Sequence, residues 1–258
     1  MNPQTEKLNQ NKKTLFMKRF YTLLIAMAIV LPATFAQKGL NIGVNGGAMV
    51  PFIINQNSWG NGHEYDTEAT FNYSFGFDLG YNFTDNFGIY TGFGRMDFGQ
   101  NYSDSYAEEA GGTSSDWERS IKLKYNTIPI MLKYTGSQQA VNFVGGIGII
   151  YAMLSEAEQT WTKDGNDWTM DTETHNNIGA KDVTDRFVKS DIMINLELGA
   201  RIILMENLYL DATINAGYGF TDINAEDWQT PDSKGVYSAS NNVYGGFKIG
   251  IAYVLFGE

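Results

Sequence analysis

The sequence predicts an all-β protein, an eight-stranded antiparallel up-and-down transmembrane β-barrel. Three observations predict it: an export signal at the N-terminus, long segments of period-two alternation, and connections that are alternately short and long. The 258-residue chain has no Cys, 28 Gly, 5 Trp, 15 Tyr and 16 Phe, and its formal net charge is −11. Charged residues make up 18%, against about 25% in an ordinary soluble domain. A disulfide scaffold and a cysteine-ligated metal centre are excluded, and the acidic balance argues against nucleic-acid partners, whose phosphates need clustered Lys and Arg.

Residues 1–36 read as a signal peptide. Lys18 and Arg19 precede the apolar run from Phe20 to Leu31, and Thr34-Phe35-Ala36 puts small residues at the −3 and −1 positions of a cleavage site. The run is about a dozen residues, too short for a spanning helix of roughly 20. Cleavage after Ala36 removes five cations and Glu6, so the mature barrel domain, 37–258, is more acidic than the whole chain.

Alternation then sets the strands. Between 71 and 83 the odd positions are Phe71, Tyr73, Phe75, Phe77, Leu79, Tyr81 and Phe83, and the even ones are polar or Gly. The same period recurs with Ile192, Ile194, Leu196, Leu198, Ile202 and Leu204, then with Leu208, Leu210, Ile214 and Tyr218, then with Val243, Phe247, Ile249, Ile251 and Leu255. With the less regular runs, strands are expected at 39–50, 70–83, 87–99, 119–134, 141–154, 190–204, 208–220 and 241–256. These are longer than the 5–6 residues usual in soluble sheets. Twelve residues tilted about 45° rise roughly 28 Å, close to a bilayer core.

Thr84-Asp85-Asn86, residues 135–140 and Met205-Glu206-Asn207 form short turns, whereas the other four connections run about 19, 19, 35 and 20 residues. Short turns on one side and long loops on the other characterise outer-membrane barrels, with the turns in the periplasm. A soluble barrel would put its apolar face inward. Its water-facing surface would then be the weakly charged one carrying Gly43 and Gly47, Gly76 and Gly80, Gly88 and Gly92, and Gly246 and Gly250; those glycines suit a narrow lumen better.

In the fourth strand the apolar parity slips: Ile121, Leu123 and Tyr125 are odd, Ile128, Ile130, Leu132 and Tyr134 even. Pro129 also lacks a ladder donor. One extra residue near 126–129, a β-bulge, is expected to reconcile both.

The lumen face carries three carboxylates, Asp78, Glu197 and Asp211, and three cations, Lys133, Arg201 and Lys248. Buried charges need partners, so a polar network filling the lumen is expected, in preference to an ion path through a barrel too narrow for one. No catalytic residue, metal site or cofactor is expected: the only histidines, His63 and His175, lie in loops, and Ser58, Glu64 and Asp66 near His63 form no specific spacing. All five Trp residues are expected in loops. Trp117 reads as a girdle residue. Trp59, Trp161, Trp168 and Trp228, beside Glu64, Asp66, Asp164, Asp167, Asp171, Glu226 and Asp227, read as a surface that binds sugars, cationic peptides or divalent ions, or else as aromatic loop packing.

The segment Tyr125-Asn126-Thr127-Ile128-Pro129-Ile130-Met131-Leu132-Lys133-Tyr134 resembles the Tyr-x-x-Ile-Pro-Leu-x-x-Lys-Tyr strand of the PorT-like outer-membrane β-barrel family of Bacteroidota. Phe143-Val144-Gly145-Gly146-Ile147-Gly148 and the ending Gly250-Ile251-Ala252-Tyr253-Val254-Leu255-Phe256 are similar to it as well. The resemblance implies the barrel fold and the outer membrane of a Gram-negative bacterium, and points to a role in protein secretion; it supplies no catalytic residue. The expected partners are outer-membrane lipid and other envelope or secretion proteins. The expected function is a non-enzymatic envelope interaction or secretion-accessory role, the alternative a small porin-like or lipid-passage transport protein.

Overall fold

The computed structural model describes residues 39–55, 65–107, 112–136, 140–168, 181–229, 231 and 235–256. Residues 1–36 lie outside this range, and with them the expected signal peptide. Ten strands form one antiparallel sheet: β1 (Gly39–Ile54), β2 (Asp66–Glu68), β3 (Asn72–Asn82), β4 (Phe87–Tyr106), β5 (Ser115–Thr135), β6 (Val141–Lys163), β7 (Asn166–Asp167), β8 (Ser190–Met205), β9 (Leu208–Gly219) and β10 (Asn241–Phe256). Eight of them close a ring in the order β1-β3-β4-β5-β6-β8-β9-β10, with β10 paired back onto β1; β2 extends the edge of β4 and β7 the end of β6. Closure leaves no sheet edge at membrane depth, the condition for crossing lipid with strands. No helix among the described residues is long and apolar enough to cross.

Along the lower part of each ring strand the large apolar side chains point outward and are exposed, among them Val44, Phe75, Ile89, Leu132, Ile147, Leu196, Ile214 and Ile249. The alternate positions point inward and hold Gly, Asn, Thr and the charged residues. An apolar exterior around a polar interior inverts the soluble pattern and matches a hydrocarbon solvent.

The expected strand ends need correction at the long-loop end. β4 continues to Tyr106, β5 begins at Ser115 and β6 runs to Lys163. The connection from β4 to β5 therefore spans only 107–114, and that from β6 to β8 164–189. Trp117 and Trp161 stand in strands rather than loops, and Trp117 faces inward, 4% exposed, so it is no girdle residue.

The expected bulge is also corrected. No extra residue lies at 126–129: β5 keeps one inward parity, Ile121, Leu123, Tyr125, Thr127, Met131 and Lys133 all being buried. The apolar parity slips because the surroundings change. Below Thr127 the outward face meets lipid and is apolar; above it the strand stands clear, its outward face carries Lys122 and Lys124, and its inward face becomes the apolar one. β4 changes in the same way, from outward Ile89 and Phe93 to inward Phe98 and Tyr102. Pro129 is accommodated by a gap. The β4–β5 ladder runs from Phe87↔Tyr134 to Thr91↔Ile130 and resumes in register at Gly94↔Thr127, while the β6 ladder passes unbroken through Pro129↔Ile150. The register shift of this region falls at Lys124/Tyr125, and the extra residue is Ser155 of β6, whose hydroxyl donates to the Lys124 carbonyl at 2.7 Å.

Candidate functional site

The lumen is organised in three levels between the short-turn end and the long-loop end. At the lowest, Arg201 and Asp211 are direct cross-strand partners four residues from the β8–β9 turn. The Arg201 Nε–H donates to Asp211 Oδ1 at 2.8 Å and a terminal N–H to Oδ2 at 2.9 Å, a two-point pairing that fixes geometry as well as charge. The guanidinium lies 3.6 Å from the Tyr209 ring centroid, and Tyr90 closes this level by donating its hydroxyl to Asn82 at 2.7 Å.

One step higher, Glu197 accepts from both Lys133, at 3.0 Å, and Lys248, at 2.7 Å. Lys133 and Glu197 are not neighbours in the sheet; each pairs with Gly146, which lies between them. A Cβ on Gly146 would stand 3.3 Å from Lys133 Cγ and 3.5 Å from Glu197 Cβ, so glycine keeps the crossing of the intervening strand uncrowded where the ion pair forms. Asp78 is joined to Asn45, whose side-chain N–H donates at 2.7 Å. The structure thus brings together Lys133, Glu197 and Lys248 as one group and Arg201 with Asp211 as another, with Asp78 bonded to an asparagine instead of a cation. Beside the middle level a cavity of about 80 Å³ faces the glycine-bare wall of β1, β3 and β4, space for a handful of waters.

The highest level is aromatic and apolar around a buried polar pair, Asn242 donating to Asp191 at 3.1 Å and to the Tyr125 hydroxyl at 3.4 Å. Phe98 meets Tyr125 and Tyr244 edge-to-face, with centroids 5.7 and 5.5 Å away, among Met49, Ile53, Ile121, Leu123 and Met193. Val183 and Phe187 from the β6–β8 connection and Ile223 from the β9–β10 connection bury themselves on this cluster and close the lumen.

Beyond it, β4, β5 and β6 form an extension with its own aromatic cluster. Trp168 packs on Trp117 (5.0 Å) and on Trp161 (6.2 Å); Trp161 meets Tyr65, Trp117 stacks on Tyr106, and the Tyr65 and Tyr106 hydroxyls share a hydrogen bond of 2.8 Å. Arg119 is buried here between Tyr102 and Trp161, and that burial brings its pKa down to about 10. Burial, reinforced by the bond to Tyr106, raises the Tyr65 hydroxyl above the ordinary phenol range. Of the four tryptophans read as a crown, Trp161 and Trp168 come together, Trp228 lies over Arg186 at 4.2 Å, and Trp59 lies outside the described residues, as do His63 and His175. Among the described residues no cluster of three or more His, Cys, Asp or Glu is placed to hold a metal ion.

Sequence reasoning missed Arg119, whose Nε–H donates to buried Gln159 at 3.1 Å, together with Tyr102 and the role of Trp117. Their signal was the parity slip at 125–128, which marks where the strands leave the lipid.

A closed antiparallel ring with an apolar exterior, a charged and paired interior, and turns at one end opposed by long connections at the other defines an outer-membrane barrel. The chain belongs to the outer membrane protein β-barrel domain family, whose description matches residues 35–225. A search of curated proteins returns no sequence match. Among solved structures it is similar to the Neisserial surface protein A (13% identity, 85% of this chain and 98% of that one, TM-score 0.45), to a major outer membrane protein of Thermus thermophilus (14%, 83% and 98%, 0.41) and to OprG of Pseudomonas aeruginosa (16%, 84% and 96%, 0.36).

Proposed function

We propose that this protein is a non-enzymatic interaction protein of the outer membrane, with its short turns in the periplasm and the β4–β5–β6 extension outside the cell. The observation that supports this reading is the lumen occupied by side chains. Among the described residues, ion pairs stand at two levels and a buried aromatic and apolar cluster at the third, while the other end is built out into paired strands and packed connections. That construction favours a role for the surface over one for the lumen. The long-loop end exposes Asp66, Glu118, Asp164, Asp167, Glu226 and Asp227, a surface suited to cationic segments of other envelope proteins. The Tyr125–Tyr134 strand supports placing the chain in the PorT-like branch, and with it a secretion-accessory role. The alternative, a small porin-like or lipid-passage protein, requires the lumen to open.

Single-channel recording on the refolded mature chain separates the two. The expected result is a baseline without steady ion steps; reproducible steps of constant size would overturn the interaction reading.

A further inference from the structure

The lumen cavity is lined by donors and acceptors that its walls leave only partly used. It measures about 80 Å³, and a second of about 20 Å³ shares Asn45, Asp78, Tyr90, Lys133 and Lys248 with it. Asp78 accepts at Oδ2 from Asn45 and takes part in no ion pair among the described residues. Asn215 lines the same space, and its Oδ1 is buried without a partner. Lys133 and Lys248 each give Glu197 one hydrogen bond, out of the three that an ammonium can donate. Acceptors and donors thus remain around one small volume, where buried polar groups are ordinarily satisfied.

The charges divide in the same way. Two ammoniums on the single carboxylate of Glu197 leave that group with a positive charge in excess, and Asp78 carries the negative charge that offsets it; Arg201 and Asp211 cancel below. Buried charges need partners, and these two face a shared space instead of each other. A cation alone would suit Asp78 and oppose the ammoniums, and an anion alone would do the reverse. A molecule carrying both charges meets both and leaves the lumen neutral. The rest of the wall sets its size and body. Met49, Met96, Met131 and Ile150 line the cavity with thioether and hydrocarbon, which suits a small apolar group. Room for a handful of waters is room for about six heavy atoms.

We infer that this cavity binds a short aliphatic amino acid as its zwitterion, the ammonium on Asp78 and Asn45, the carboxylate on Lys133 and Lys248, and the side chain against Met131. The site stands beside the surface role proposed above and does not rest on it, since an occupant held here needs no path across the membrane.

The test is equilibrium dialysis of isotope-labelled L-alanine against the mature chain, with the alanine present during refolding so that the cavity fills as the barrel closes. Binding is expected to saturate at one molecule per chain. Asp78→Asn keeps the shape of the side chain and its bond to Asn45 while removing the charge; it is expected to weaken binding by about tenfold or more, as the loss of a charged hydrogen-bond partner does. Lys181→Gln, in the β6–β8 connection, is expected to bind as the wild type does. Heat-modifiable migration in SDS checks folding. Should Asp78→Asn fail to fold, competition on the wild type decides: alaninamide, which lacks the carboxylate, and propionate, which lacks the ammonium, are each expected to displace labelled alanine at least about tenfold less well than unlabelled alanine does. Displacement by either as effective as by alanine would mean a site for a single ion and overturns the assignment. Uptake that does not saturate, or an unchanged affinity in Asp78→Asn, means that water alone fills the cavity and equally overturns it. Single-channel recording reads the surface role independently, so the two readings fail separately.

Discussion

Arg201 is 1% exposed and satisfies both oxygens of Asp211 while covering the Tyr209 ring. Removing it strands a buried carboxylate, and breaking a buried pair from one side costs about 3 kcal/mol or more. Arg201→Ala is expected to lower the urea midpoint of the refolded barrel by a corresponding amount, with Arg201→Ala/Asp211→Ala recovering part of it; unchanged urea resistance would show that the pair is not structural. Gly146 tests the level above. Gly146→Val drives methyl groups between Lys133 and Glu197, and overpacking of that kind costs about 1–3 kcal/mol, read as a lower midpoint than Gly145→Val, whose side chain points to lipid. That Lys133, Glu197, Arg201, Asp211 and Lys248 face the lumen was legible in the sequence, because alternation alone decides the face. Which of them pair was not. Lys133 reaches Glu197 only through the β5–β6 and β6–β8 registers, and Asp78 bonds Asn45 by a cross-strand offset that no single strand encodes.

Among the elements, β6 takes the burden of matching a lipid-facing half to a water-facing half. Its apolar residues keep one parity, from Ile149 and Tyr151 to Ala157 and Trp161, yet the first pair points out and the second in. Ser155, the unpaired residue between them, turns the face. β5 makes the same change without a bulge, by shifting its apolar residues from even to odd positions. The two solutions look opposite in sequence and equivalent in the barrel, which explains how a parity slip on β5 suggested a bulge that belongs to its neighbour. Deleting Ser155 should throw Ala157, Gln159 and Trp161 outward and bring Glu156 and Glu158 under the aromatic cluster. The expected outcome is a barrel that still shifts with heat in SDS but loses the near-ultraviolet circular dichroism of packed Trp117, Trp161 and Trp168. A spectrum identical to the wild type would place the turning point elsewhere. The ends of β4, β5 and β6 were hidden for the same reason: the lipid-facing rule identifies a strand only while it is in lipid.

For the whole molecule, the ring and the asymmetry of its connections were legible from period and spacing alone, since both follow from the bilayer; the closure of the lumen was not, because Val183, Phe187 and Ile223 seal it from connections that carry no periodicity. The asymmetry also yields a test of how the barrel sits in the envelope. The chain has no Cys, so a single introduced thiol is labelled against no background. Ser114 borders the β4–β5 connection and Asp167 ends β7, and Asp167 is exposed at the long-loop end; Asp85 and Glu206 are exposed in the two tightest turns at the other. With the turns in the periplasm, Ser114→Cys and Asp167→Cys are expected to react with a membrane-impermeant maleimide on intact cells, and Asp85→Cys and Glu206→Cys only after lysis. Because eight ring strands return both termini to the turn side, the two groups must label as opposites. Labelling in the reverse order would invert the barrel and place the acidic long-loop end in the periplasm.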